Sequence, residues 1–432
     1  MTMPRASMVY PWMVVALLML AYVLSFVDRQ ILTLLVKPIR ADLAISDTQM
    51  SLLMGLSFAI FYTVCGIPLA RWADRGSRQK LVIAGVLFWS AATAACGLAN
   101  RYWQLFLARV GVGVGEAALS PAAYSLITDY FPREQRATAL SVYGMGIYLG
   151  SGLAYLVGGA VIQFAAVTGP LSLPLIGDIR PWQVVFLILG GTGILFSGVL
   201  LLIREPPRSG SHAALPFAEV WLALTARRRV ILCHNLGFGF IALASYAAAS
   251  WIPSYFGRVH GWGMAQLGYT YGLIVLVFGT LGIVSAGRIA DLMIRRGVED
   301  ATMRVGVWAA LLAIPASALY LFTGDATLAA WLIAPATFLI AMPFGIAPAG
   351  VQEIVPPAMR AQASAVYLFI VNLIGLGLGP TAVALFTDYV FKDDAAVGQS
   401  LLVVTVIALC LGAALLAAGC RPYREALAQQ RA

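Results

Sequence analysis

Charge is scarce in this chain. Asp, Glu, Lys and Arg make up 11% of its 432 residues, while hydrophobic residues make up 61%. With a mean hydropathy of +0.86, ordinary soluble domains are excluded. Histidine occurs three times, at His212 and His260 in polar connections and at His234, beside Asn235, where an apolar stretch begins. The five cysteines, Cys65, Cys96, Cys233, Cys410 and Cys420, lie in or beside apolar stretches without paired spacing. That leaves packing as their expected role and argues against a metal centre or a disulfide framework. No nucleophile–base set for an enzyme is found. Gly111, Gly113 and Gly115 are not a nucleotide fingerprint, because they lie inside an apolar stretch and follow no strand. No cofactor is expected.

What the chain has instead is twelve apolar stretches, near 12–36, 48–70, 81–99, 103–125, 136–164, 183–203, 230–256, 265–287, 304–322, 327–349, 361–388 and 399–420. About 20 helical residues cross a bilayer core of ~30 Å, so the expectation is an all-α membrane protein with twelve transmembrane helices. The first stretch is too long for a signal peptide, carries Asp28-Arg29 and lacks a small-x-small cleavage pattern. With the N-terminus inside, 20 of the 28 Lys and Arg fall in inner segments, six in outer ones and two, Arg29 and Arg109, within apolar stretches. This asymmetry places both termini in the cytoplasm. It also reads the net charge of +9 as loops facing anionic lipid, with no nucleic-acid partner.

The buried charges carry the functional signal. Arg109 and Glu116 are seven residues apart, two helical turns, and so share a helix face. Each charge at the centre of a spanning helix costs at least ~2.5–3.5 kcal/mol unless it lines a water-filled path, binds something or pairs. Asp28 and Arg29 form a second site in the first stretch. At 1.5 Å per residue, Asp28 lies about 13 Å from the outer end of its helix, Arg109 about 9 Å and Glu116 about 20 Å. Asp28 and Arg109 are therefore expected to meet, with Glu116 deeper and alone as a titrating group. A static ion pair locking two helices is the plainer alternative. Arg29 points about 100° away from Asp28, either into the cavity or snorkelling outward. Two such sites point to passage of a polar or charged solute.

The chain also repeats itself. Residues 204–229, with Pro206-Pro207 and Arg227-Arg228-Arg229, form the one long polar connection. They divide a first half, 1–203, from a second, 230–432. Pro132-Arg-Glu-Gln-Arg136-Ala-Thr-Ala-Leu-Ser-Val-Tyr143 matches Pro356-Pro-Ala-Met-Arg360-Ala-Gln-Ala-Ser-Ala-Val-Tyr367, and the same offset places Asp129 on Glu353. Asp74-x-x-x-Arg78 echoes Asp291-x-x-x-Arg295. Two six-helix halves with a site near the midplane are the expected arrangement.

Ala70-Arg-Trp-Ala-Asp74-Arg75-Gly-Ser-Arg78-Gln-Lys80 resembles the signature loop of the major facilitator superfamily, with a second copy at Gly287-Arg-Ile-Ala-Asp291-Leu-Met-Ile-Arg295. Ala70 stands where that loop usually begins with Gly. A narrower resemblance is to the spinster family. It is carried by Tyr22-Val-Leu-Ser-Phe-Val-Asp28-Arg29-Gln, Arg109-Val-Gly-Val-Gly-Val-Gly-Glu116, Ser125-Leu-Ile-Thr-Asp129-Tyr-Phe-Pro132 and Trp251-Ile-Pro253-Ser-Tyr-Phe-Gly-Arg258. The resemblance implies the major facilitator fold and a proton-linked carrier associated with lysophospholipids and sphingoid phosphates. Asp28, Arg29, Arg109 and Glu116 would form its proton and substrate site.

Asp28 and Glu116 are accordingly expected to couple protons, and Arg29, Arg109, Tyr22, Tyr62, Tyr367 and Asn372 to contact substrate. Packing or lipid contact is the alternative for the tyrosines. Asp74, Arg75, Arg78, Asp291 and Arg295 are expected to gate the cytoplasmic side, interlocking with Asp129, Arg136, Glu353 and Arg360. The expectation is a monomeric, gradient-driven secondary carrier in a bacterial inner membrane. Its partners would be the lipid bilayer, protons and a lysolipid-like substrate, with a small organic anion or drug-like compound as the alternative cargo.

Overall fold

The computed structural model describes residues 8–168, 171–173, 177–207, 222, 224–356 and 359–431. Most of the polar connection expected at 204–229 lies outside them. So do the side chains of Asp74, Arg75, Arg136 and Arg360. In hydrocarbon every backbone N–H and C=O must be bonded within the segment, and apolar sequence of this length does so as helix. Among the described residues, twelve helices are long and apolar enough to span a membrane. They are α1 (Val9–Leu34), α2 (Asp47–Ala73), α3 (Arg78–Cys96), α4 (Tyr102–Tyr130), α5 (Val142–Phe164), α6 (Pro181–Leu202), α7 (Arg228–Val259), α8 (Ala265–Arg295), α9 (Ala301–Phe322), α10 (Ala326–Glu353), α11 (Gln362–Phe391) and α12 (Asp394–Gln430).

Polar residues at the apolar boundaries start these helices. Ser46 and Gln49 form a reciprocal capping box on α2, at 3.2 and 3.0 Å. Ser77 caps α3 and Asp325 caps α10. Several helices outrun their apolar stretches. The helix ending α12, for instance, continues past Gly419 on polar sequence, with Arg421 and Glu425 paired one turn apart at 2.9 Å. Among the described residues the expected all-helical character has one small exception, an antiparallel pair of strands, β1 (Leu171–Leu173) and β2 (Gly177–Ile179), between α5 and α6. Among the described residues, four stretches are wound as π-helix, at Leu52–Leu56 in α2, Val275–Gly279 in α8, and Asn372–Leu378 and Phe386–Phe391 in α11. Such turns gather at functional or strained places.

The chain forms two compact units. The first comprises Met1–Ile45, Ser57–Ser211 and Met264–Gly272, and the second Ser46–Leu56, His212–Gly263 and Leu273–Ala432. In the first, Val23 and Val27 of α1 and Ala154 of α5 form a buried apolar cluster with Leu149, Leu153 and Leu189 against it. In the second, the Trp251 indole of α7 donates to the Pro380 carbonyl of α11 at 2.8 Å. Tyr423 of α12 reaches the Gly350 carbonyl of α10 at 3.0 Å.

Candidate functional site

Within the first unit, α1, α2, α3 and α4 bring four charged side chains together in an otherwise apolar interior. Asp28 is 5% exposed, and Arg109 and Glu116 are each 1% exposed. Arg29 meets Glu116 through Nε and Nη2, both 2.6 Å from Oε2. The same oxygen accepts from Ser25 Oγ at 2.5 Å, and Arg29 Nη2 donates to Ser25 Oγ at 3.3 Å. Glu116 Oε1 is buried and has no hydrogen-bond partner among the described residues. The Arg29 guanidinium lies over three rings, Phe26, Phe58 and Tyr62, at 4.8, 4.5 and 5.0 Å. Contacts of this kind stabilise a cation away from water.

Asp28 faces the other way, as the ~100° between helical neighbours dictates. Its Oδ2 accepts from Thr93 Oγ1 of α3 at 3.2 Å, and Arg109 Nη1 donates to its main-chain carbonyl at 3.3 Å. Arg109 thus reaches α1 at the level of Asp28, through the main-chain carbonyl of that residue. The expectation that Glu116 stands alone is corrected, since Arg29 and Ser25 hold it. Helical side chains lean toward the N-terminus of their helix. The long Arg29 side chain therefore reaches one turn back, to the level of Ser25, where the deeper Glu116 is found. Snorkelling is excluded by the same contacts.

The glycines of α4 make this closeness possible. A Cβ on Gly113 would stand 2.9 Å from the Phe58 carbonyl of α2, and one on Gly115 would stand 2.7 Å from the Trp89 nitrogen of α3. Removing both side chains lets three backbones converge beside the charges.

The remaining expected site residues are scattered. Tyr22 is buried and stacks on Tyr143 at 4.8 Å, and Tyr62 stacks on Phe58 at 5.3 Å. In the second unit, Tyr367 is buried with its ring edge on His234 at 5.6 Å, and Asn372 is half-buried on the first π turn of α11. Arg78 is 1% exposed and makes a very short ion pair with Asp129. It also donates to Ser125 Oγ at 3.0 Å and the Pro206 carbonyl at 3.0 Å. Asp291 and Arg295 are exposed, with no ion pair among the described residues. Glu353 accepts from Tyr423 at 2.7 Å.

Thr93 was not anticipated from the sequence, and neither was an acid outside the spanning helices. Glu205, just beyond α6, takes Arg78 Nε at 2.6 Å, the Gln79 amide at 2.9 Å and Ser77 Oγ at 3.1 Å. Burial alone raises its carboxyl, but the Gln79 amide and the Arg78 guanidinium outweigh that and hold it below the ordinary carboxylate range. Its only signal in sequence is an acid immediately before Pro206-Pro207.

Comparison with known proteins settles the family. The model of the Major Facilitator Superfamily matches residues 18–380. The chain belongs to the major facilitator superfamily. This major facilitator protein is 30% identical over 413 residues to a protein of Mycolicibacterium smegmatis named MFS-type efflux pump, covering 93% of this chain and 91% of that one. It is 27% identical to human protein spinster homolog 1 over 87% of this chain and 73% of the relative. A crystal structure titled as a bacterial homolog to the human lysosomal transporter Spinster, inward-facing and unoccupied, superposes with a TM-score of 0.84. That likeness has 30% identity and covers 98% of this chain and 99% of the other. The protein is a multi-pass membrane transporter related to the spinster proteins, and its family and fold are not those of enzymes.

Proposed function

We propose that this transporter is a proton-coupled secondary carrier working by alternating access, with both termini cytoplasmic in a bacterial inner membrane. Its cargo is an anionic amphiphile such as a lysophospholipid or sphingoid phosphate. The observation that carries this reading is the buried Arg29–Glu116 pair beside Asp28 and Arg109, walled by Phe26, Phe58 and Tyr62. Stripping a buried pair of one charge costs about 3–5 kcal/mol, because the other is left uncompensated. A proton on Glu116 therefore leaves Arg29 in want of an anion, so proton and anionic head group favour each other. A guanidinium fork takes a phosphate or carboxylate in two hydrogen bonds, and the aromatic wall covers an apolar tail. A sugar would need several amide or carboxylate groups around its hydroxyls, and the helix interiors here hold few.

Flux into reconstituted vesicles tests this. A lysophospholipid panel should show saturable, pH-sensitive uptake. Asp28→Asn and Glu116→Gln should each flatten the pH dependence, and Arg109→Ala should abolish uptake. Proton coupling that survives in the Asp28→Asn, Glu116→Gln double variant would eliminate the mechanism. The 30% identity to the mycobacterial efflux pump favours a second reading, a small organic anion or drug-like cargo. Transport of such a compound with no lysolipid bound would select it.

A further inference from the structure

Helix α4 breaks its regular bonding just beyond Glu116. Ala117 and Ala118 form a turn, the Ala118 amide bonding Gly115 three residues back at 3.2 Å, and helix resumes at Leu119. The cause is Pro121, which has no N–H to give the Ala117 carbonyl. That carbonyl, on a buried residue next to Glu116 in the chain, is left without its helical donor. One turn past Glu116, Ser120 presents its hydroxyl from the same side of the helix. It lies 3.5 Å from the Tyr143 hydroxyl, at the start of α5. The Tyr143 ring is fully buried, stacked on Tyr22 and met by the edge of Tyr124 at 5.5 Å. Tyr124 is 43% exposed. Hydroxyls thus lead from the Glu116 oxygen that Ser25 and Arg29 leave free, Oε1, to an accessible ring on the side where α4 ends and α5 begins.

We infer that Ser120 and Tyr143 carry the proton between Glu116 and the cytoplasmic end of the first unit. The inference rests on the carrier reading above. Glu116 Oε1, the Ala117 carbonyl and Ser120 Oγ are three polar groups within about one helical turn, enough partners to hold a single water. A hydronium arriving beside Tyr124 gives its proton to Tyr143 Oη, which passes its own hydrogen to Ser120 Oγ. Ser120 passes its own in turn to the water, and the water to Glu116 Oε1. Each relaying oxygen gains one O–H bond and loses one. The hydronium becomes water and the carboxylate becomes the acid, and release runs the same steps backwards. The other titratable or charged groups of this neighbourhood are Asp28 and Arg29 of α1, Tyr62 of α2, Cys96 of α3 and Arg109 of α4. Arg29 engages Oε2, so Oε1 is the oxygen that a proton from this side meets.

Infrared difference spectra after a pH jump, on the full chain in lipid vesicles, time the protonation of Glu116 without any cargo. Its acid carbonyl band is assigned by its loss in Glu116→Gln. The band should grow about tenfold more slowly, or slower still, in Ser120→Ala and in Tyr143→Phe. Ser120→Thr keeps the hydroxyl and should restore the rate. An unchanged rate in the Ser120→Ala, Tyr143→Phe double variant overturns the relay, and so does equal slowing in Ser120→Thr. Flux separates a relay from a defect of folding, with lysophosphatidic acid as the probe. Uptake driven by a pH gradient should fall about tenfold in both single variants. Counterflow, which returns the carrier with its proton still bound, should be nearly unchanged. Equal loss of the two fluxes overturns the relay. Absence of any saturable flux in the wild-type chain counts against the carrier reading alone, since the infrared rate still decides whether the two hydroxyls carry the proton.

Discussion

Asp28 and Arg29 are chain neighbours with separate clients, Thr93 and Arg109 for one, Glu116 for the other. Because the Glu116 side chain is fully buried and that of Arg29 is 13% exposed, the pair is shielded from solvent and salt. Arg29→Ala should destabilise the protein by about 3–5 kcal/mol. The double variant Arg29→Ala, Glu116→Gln should recover part of that loss, as read by thermal unfolding in lipid nanodiscs. Strict additivity would mean that the pair is not coupled. Glu205 makes a pH prediction. Its folded carboxyl titrates below its unfolded value, so its stabilising share is present above the unfolded value near pH ~4.3 and is lost as pH falls through the lower folded one. Acid unfolding followed by tryptophan fluorescence should show a shallower loss between those points in Glu205→Gln. An unaltered profile would assign the pH dependence elsewhere. The sequence revealed Asp28, Arg109 and Glu116 as cost without visible return, and their levels followed from helix rise. The partner of Arg29 did not, because rise locates a Cα and not the end of a six-atom side chain that leans back a full turn. Glu205 was hidden for a different reason. At a helix end beside a polar connection an acid is unremarkable until its partner is known.

At the scale of elements, all twelve spanning helices were legible, since hydrocarbon leaves apolar sequence one way to bond its backbone. Several of their ends were not, because helix continues onto polar sequence beyond the apolar stretch. The π turns were not, because one extra residue per turn alters no hydropathy. Nor was the membership of Ser46–Leu56 in the second unit legible, since periodicity reports a helix and not its neighbours. The glycines of α4 offer a sharp element-scale test. Gly113→Val should force α4 from the Phe58 carbonyl and cost about 1–3 kcal/mol. Gly144→Ala, with nothing within 4 Å of its added carbon, should leave the unfolding temperature nearly unchanged. Equal effects would remove close approach as the reason for a glycine at 113.

The whole molecule is tested by sidedness. In a cysteine-free chain, Arg295→Cys should react with an impermeant maleimide only from the cytoplasm, and Asp178→Cys only from outside, as the uneven Lys and Arg distribution requires. Both positions are exposed. Labelling of Arg295→Cys from outside would invert the topology.

The grouping of Ser46–Leu56 with helices of the second unit also sets a timetable for biosynthesis. Asp47, fully buried in that stretch, is ion-paired with Arg258, 211 residues later in the chain. At ~5–20 residues per second, the ribosome delivers the arginine roughly 10–40 s after the aspartate. Until then a carboxylate destined for a dry interior has no countercharge, and the start of α2 waits at the membrane surface. Neither unit is complete when the first six helices have emerged, because the first still lacks Met264–Gly272. Nascent chains stalled before residue 258 should therefore hold the start of α2 open to protease, and chains stalled after Asp394 has left the translocon should protect it.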